Sequence, residues 1–166
     1  MTGKPTRVDR GVQIAFRVAH RLLRATWAIR RPHTRGALVA VWHGGEVLLV
    51  RNSYRRQYTF PGGYIRRGET AVHAAARELA EECGIRVSPE NIVPVYQAVH
   101  EFEFRKDDVT IVEVELAVRP EIRVDHREVV EARFVSPERA RTLPLVPHLS
   151  EYLAERAAAR ARGAGA

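Results

Sequence analysis

The stretch that most constrains this chain is short and heavily charged. A helix is predicted from Thr70 to about Cys83. Thr70 offers a side-chain oxygen to the free N–H groups at its start, and Gly84 accepts the left-handed conformation that ends it. Val72, Ala75, Ala76 and Leu79 form the apolar side. Glu78, Glu81 and Glu82 stand at i, i+3 and i+4, so their carboxylates share one face. Like charges at that spacing destabilise a helix by about 0.2–0.5 kcal/mol per pair. Three glutamates alone describe a solvated acidic stripe. Their setting points elsewhere: Pro61-Gly62-Gly63 and Glu69 precede the helix, and Arg77 lies beside the trio. Carboxylates without accompanying Cys or His suit hard cations such as Mg2+ or Mn2+, which offset the repulsion and hold phosphate oxygens.

The flanking segments are short strands and helices. Ala37–Trp42 and Val47–Val50 are rich in β-formers and enclose His43-Gly44-Gly45-Glu46, a tight hairpin turn. Residues 51–67 read as loop around Pro61-Gly62-Gly63. Two longer strands are expected at Ile92–Phe104 and Val109–Val118, turning at Lys106-Asp107-Asp108. A short strand at Ala132–Val135 leads to Ser136-Pro137-Glu138, a helix start. A last helix covers about Pro147–Arg160, with a fraying end from Ala157. This order implies an α+β layered domain.

Charge divides the chain. The net charge is +7 over 166 residues. Residues 1–35 hold nine basic residues and one acid, leaving 18 basic and 19 acidic residues in the rest. The basic character therefore belongs to an N-terminal extension. Met1–Arg10 is expected to be loose, and Gly11–Arg31 to form an amphipathic helix stopped by Pro32. Val12, Ala15, Ala19 and Leu22, with Phe16, Leu23 and Trp27 beside them, recur at helical spacing. They favour an apolar stripe packed on the domain or a second copy, with Arg17, Arg21 and Arg24 solvated. The sharper reading is contact with nucleic acid or an anionic membrane surface through residues 10–31. One cysteine, Cys83, excludes an intrachain disulfide and fits the cytoplasm. No apolar run reaches the roughly 18 residues of a membrane span.

Gly63, five residues, Glu69, seven residues, Arg77-Glu78-Leu79, one residue, Glu81-Glu82, one residue, Gly84-Ile85 resembles the Nudix box at every fixed position and gap. The resemblance implies an α/β/α sandwich with a mixed sheet at 36–150, preceded by the basic extension 1–35 and followed by a helix end and tail at 151–166. It also implies hydrolysis of a nucleoside diphosphate linked to another moiety, by metal-assisted attack of water on phosphorus. By position Glu78, Glu81 and Glu82 are the implied Mg2+ or Mn2+ ligands. Glu69 is implied near the site, and Arg77 as the group that holds the glutamates. Gly63 and Gly84 serve backbone geometry. The general base is left open among Glu82, Glu81, Glu101, Glu103, Glu128 and Glu131, with family position favouring Glu128 or Glu131.

The segment before the box adds Arg51 and Arg66 as phosphate contacts, since guanidinium groups suit bidentate phosphate binding. Tyr64 offers a face for a base, and Gly62 and Gly63 allow close backbone approach. No subgroup signature accompanies the box, so the expected partner is a small-molecule nucleotide derivative with an unassigned leaving group, with a homodimer left open. Two alternatives stay open: a catalytically silent nucleotide-binding or regulatory module, and an RNA-end processing hydrolase recruited by the basic helix.

Overall fold

A computed structural model describes residues 6–124 and 126–163. In order, the elements are α1 (Arg7–Arg30), β1 (His33–His43), β2 (Glu46–Asn52), β3 (Gly62–Tyr64), α2 (Ala71–Cys83), β4 (Val93–Phe102), β5 (Arg105–Glu115), β6 (Val129–Val135), α3 (Pro137–Arg141) and α4 (Pro147–Gly163). The sheet order is β4-β5-β1-β2-β6, with β3 also on β1. β1 and β5 are parallel over ten residue pairs, and the other pairings are antiparallel. The sheet is therefore mixed.

β1 organises the molecule. Along one edge it pairs with β5 from His33 to Trp42. On its other edge two strands lie end to end: β3 opposite Gly36–Leu38 and β2 opposite Trp42 and His43. Gly44 and Gly45 close the β1–β2 hairpin with φ of 56° and 82°, the left-handed pair that a two-residue turn of this twist needs. Side chains alternate across the sheet. Ala37, Val39 and Val41 pack with Ala75, Leu79 and Cys83 of α2. Ala40 and Trp42 face the opposite way, against Phe60, Leu149, Tyr152 and Leu153. Helices thus cover both faces, and the expected α+β sandwich is present.

Four local expectations change. Gly62–Tyr64 is a strand rather than loop, because its backbone finds partners on the free part of the β1 edge. The β4–β5 turn falls at Glu103 and Phe104, with φ of 51° and 68°, and not at Lys106-Asp107-Asp108. Those three polar residues are instead paired with His33, Thr34 and Arg35 of β1. At the C-terminus α4 continues to Gly163, past the expected fraying point.

α1 is the fourth. It starts at Arg7, earlier than expected, because Thr6 and Asp9 form a reciprocal capping box. Its apolar stripe meets the domain only in part, through Trp27 and through Phe16, whose ring lies 6.4 Å from that of Tyr54, while Ala15, Ala19 and Leu23 stand outside. Trp27 is the buried residue of α1, while Ile14, Val18, Leu22 and Ile29 are exposed. The face turned to the body is aromatic and polar. Gln13 donates to the His126 carbonyl at 2.6 Å and Arg17 to the Ser53 carbonyl at 3.0 Å. The His20 ring lies 4.6 Å from that of Tyr54, and the Arg105 guanidinium stacks 4.5 Å over Trp27. Arg17 and Arg24, expected on the solvated side, both reach the body, Arg24 through Glu103 at 3.9 Å.

Candidate active site

A cleft of about 360 Å³ opens where β3 and β2 share the edge of β1 and the charged face of α2 comes up beside them. Both caps of α2 are in place. Thr70 accepts from the His73 N–H, and Gly84 closes the helix with φ of 69°. Ala74, Ala75, Leu79 and Cys83 are buried, which fixes the rotation of the helix and turns Glu78, Glu81 and Glu82 into the cleft.

Arg77 organises the acids. Its Nε and Nη2 donate to the two oxygens of Glu69 at 2.9 and 3.0 Å. Nη1 donates to Glu78 at 2.6 Å and to Glu81 at 3.4 Å. Nη2 also reaches the Tyr64 carbonyl at 3.2 Å, tying α2 to β3. One cation shared among three carboxylates more than offsets a repulsion of about 0.2–0.5 kcal/mol per pair. The bidentate contact holds the Glu69 carboxyl down at about 2. Neither Glu69 nor Arg77 lines the cleft, so both act behind the glutamates.

Two glycines shape the opposite wall. Gly62 has φ of 152°, and a Cβ there would stand 2.2 Å from the Ala37 carbonyl oxygen. Its N–H donates to Glu82 at 2.9 Å. A Cβ on Gly63 would stand 2.5 Å from Glu78 Oε1, so the missing side chain is the space the carboxylate occupies.

The remaining sequence candidates separate. Tyr64 lines the cleft, and its hydroxyl receives the Arg105 guanidinium. Arg66 is exposed, 3.8 Å from Glu81, with its N–H on Glu69. Arg51 is outside the cleft and gives Nε and Nη2 to Glu131 at 3.1 Å. Glu131 also accepts from Tyr58 at 2.9 Å, so Arg51 and Glu131 satisfy each other on β2 and β6. Glu101 faces away on β4. Glu103 sits in the β4–β5 turn, bound to Arg55 at 2.6 Å. Of the four carboxylates considered outside the box, Glu128 alone reaches the cleft, where it accepts from Tyr54 at 3.1 Å.

Residues that the sequence did not single out complete the cleft. Arg105 and Asp107 form a buried ion pair at 2.8 Å, and His148 lies among them. Burial lowers the His148 imidazole to about 4. Its Nδ1 makes no hydrogen bond among the described residues. Arg105 and Asp107 carry a period-two signal with Val109 and Ile111. It becomes visible once the preceding turn is placed at Glu103-Phe104.

The donor set for a metal is all carboxylate, which suits Mg2+ or Mn2+. Among the described residues no group of three or more His, Cys, Asp or Glu side chains is placed to hold a metal ion by itself. The three glutamates meet only along the cleft wall, each held by an N–H donor. An open wall of this kind fits a metal shared with substrate phosphates better than a structural site.

The NUDIX domain profile matches residues 32–156. No curated protein matches the chain significantly. Among solved structures, the Caenorhabditis elegans Ap4A hydrolase binary complex superposes with a TM-score of 0.65 at 22% identity, covering 77% of this chain and 98% of that one. The Escherichia coli ORF135 protein gives 0.61 at 25% identity, over 78% and 94%. The Nudix domain of Shewanella oneidensis NrtR, complexed with ADP-ribose, gives 0.64 at 17% identity, over 75% and 88%. With the profile spanning the sheet, α2 and most of α4, the chain belongs to the Nudix family of hydrolases that act on phosphorus-containing anhydrides.

Proposed function

We propose that this protein hydrolyses the pyrophosphate bond of a nucleoside diphosphate linked to another moiety, with Mg2+ or Mn2+ held by Glu78, Glu81 and Glu82. One observation carries this reading: the three box glutamates and Glu128 line a single cleft together with the guanidinium groups of Arg55 and Arg105. Acids for a cation and cations for phosphate oxygens are thereby adjacent, as anhydride cleavage requires. When bound, the metal supplies charge neutralisation on the phosphates and a lowered pKa for an attached water.

The chain's own groups do the rest. Arg77 holds Glu78 and Glu81 in place by hydrogen bonds, and Glu69 in turn fixes Arg77. Gly62 and Gly63 let the phosphates approach the backbone. Arg55 and Arg105 draw and orient the anionic substrate. Glu128 accepts the proton of the attacking water, since among the outside carboxylates weighed it alone faces the reacting space. In-line attack then yields a nucleoside monophosphate and a phosphorylated remainder. The complete acid set favours catalysis over a silent regulatory module, which needs no proton acceptor.

A hydrolysis screen over nucleoside triphosphates, dinucleotide polyphosphates, nucleotide sugars and capped RNA, with and without Mg2+ or Mn2+, tests the reading. On the best substrate Glu82→Gln is expected to lower kcat by about a hundredfold or more while the melting temperature holds. A variant as fast as the parent would remove Glu82 from the site, and metal-independent turnover would remove the mechanism.

A further inference from the structure

Beside the cleft lies a second concavity, and nothing in the reading above uses it. It runs between α1 and the segment after β2, has a volume of about 490 Å³, and is walled by Arg17, Arg21, Arg24, Arg51, Arg55 and Arg56. The volume is within the about 300–1,000 Å³ of small-molecule sites. Six guanidinium groups around one groove repel one another unless anions accompany them. Among the described residues three have protein carboxylates: Arg24 and Arg55 share Glu103, and Arg51 takes Glu131. No carboxylate pairs with Arg17, Arg21 or Arg56 among the described residues.

A separate observation points to a ligand. Ser53 lines the same groove, is 8% exposed, and its Oγ makes no hydrogen bond among the described residues. An unpaired buried hydroxyl is costly, and the carbonyl of the same residue already accepts from the Arg17 guanidinium at 3.0 Å. The lining also states what the groove does not take. Its one aromatic side chain besides the His20 ring is Tyr54, already covered by His20 at 4.6 Å and by Phe16 at 6.4 Å. A stacking platform for a base is therefore missing, and the chemistry presented is that of phosphate oxygens.

We infer that this groove binds a chain of phosphates, the part of an extended polyphosphate substrate distal to the bond cleaved at Glu78, Glu81 and Glu82. The inference rests on the hydrolytic reading of the cleft only for the word substrate. Tyr54 and Arg55 line both spaces, so one ligand can engage both. α1, which lies outside the matched domain, supplies half of the arginines, making the N-terminal helix a specificity element for phosphate-chain length.

The test uses the full chain and inorganic tripolyphosphate, titrated calorimetrically in excess chelator. The double variant Arg21→Ala/Arg56→Ala removes two exposed guanidinium groups, and Arg86→Ala/Arg141→Ala is the charge-matched control. Tripolyphosphate is expected to bind the parent and the control alike and the groove variant about tenfold or more weakly, as two charge-assisted contacts are lost. In hydrolysis, the groove variant is expected to raise KM for a nucleoside tetraphosphate several-fold more than for the diphosphate. Equal tripolyphosphate binding by all three proteins overturns the site. So does a variant that loses only a single-stranded oligonucleotide, since the groove would then be a nucleic-acid surface. If no substrate is hydrolysed but tripolyphosphate binding falls in the variant, the groove stands and the catalytic reading fails.

Discussion

At the scale of single residues, the cleft depends on side chains that are absent as well as present. Gly63 carries no strained φ, so its importance lies wholly in the volume that Glu78 fills. Gly63→Ala is expected to cost little stability, because the atoms it meets are the flexible end of Glu78, and to reduce kcat/KM at least tenfold, because Glu78 must leave its place. Thermal unfolding beside steady-state kinetics checks this, and an active variant would show that Glu78 is not confined. Arg77→Lys keeps the charge but loses the fork that grips Glu69 at two points. The expected result is a drop in kcat of about tenfold with little change in KM, since Arg77 positions acids and does not line the cleft. A change confined to KM would instead place Arg77 on the substrate. That three glutamates share one helical face is legible from their spacing alone. That Arg77 bridges Glu69, Glu78 and Glu81 is not, because the bridge needs the loop before α2 folded back on it.

At the scale of elements, α1 shows how local pattern and tertiary placement part ways. Its apolar periodicity predicts a stripe against the domain, yet Leu22 and Leu23 are exposed, and His20, Arg17 and Gln13 join Phe16 and Trp27 in the contacts. A stripe identifies a face but not the surface it meets. The joint between α1 and the body is Glu103, whose side chain is 10% exposed and serves His20, Arg24 and Arg55. Removing one partner of a buried charged network costs about 3–5 kcal/mol when the rest stays dry. Since α1 can detach and let water in, Glu103→Ala is expected to appear as local opening. Limited trypsin digestion should cut at Arg17, Arg21 or Arg24 several-fold faster while the sheet's hydrogen exchange is unchanged. Unaltered cleavage would place the anchorage of α1 at Trp27 and Arg105 instead.

At the scale of the molecule, the histidine that α4 brings to the cleft makes stability depend on pH. Buried His148 has its folded pKa lowered to about 4 from an unfolded value of 6.5, with Asp107 opposing the shift and Arg105, Arg55 and His100 adding to it. Between those values the unfolded chain binds a proton that the folded chain refuses, so stability rises with pH there. The contribution is complete above pH 6.5, falls as the pH drops toward 4, and is on the order of 3 kcal/mol in all. Burial lowers His20 too, and it acts in the same sense. His148→Asn is expected to flatten the denaturant-midpoint profile between pH 6.5 and 4, whatever its absolute stability. A slope equal to the parent's would assign the dependence elsewhere.

The sequence by itself determined what rests on short-range order. The α2 caps follow from Thr70 and Gly84, the β1–β2 turn from paired glycines, and the charged face of α2 from a 3.6-residue period, since each involves atoms only a few residues apart. Tertiary structure decided what depends on long-range pairing. It set Gly62–Tyr64 on the edge of β1, moved the β4–β5 turn to Glu103-Phe104, and brought Glu128 rather than Glu101, Glu103 or Glu131 to the cleft. It also turned the polar face of α1 inward, because the arginine and histidine donors of α1 found carbonyls and a carboxylate on the body that its leucines and valines had no means to satisfy.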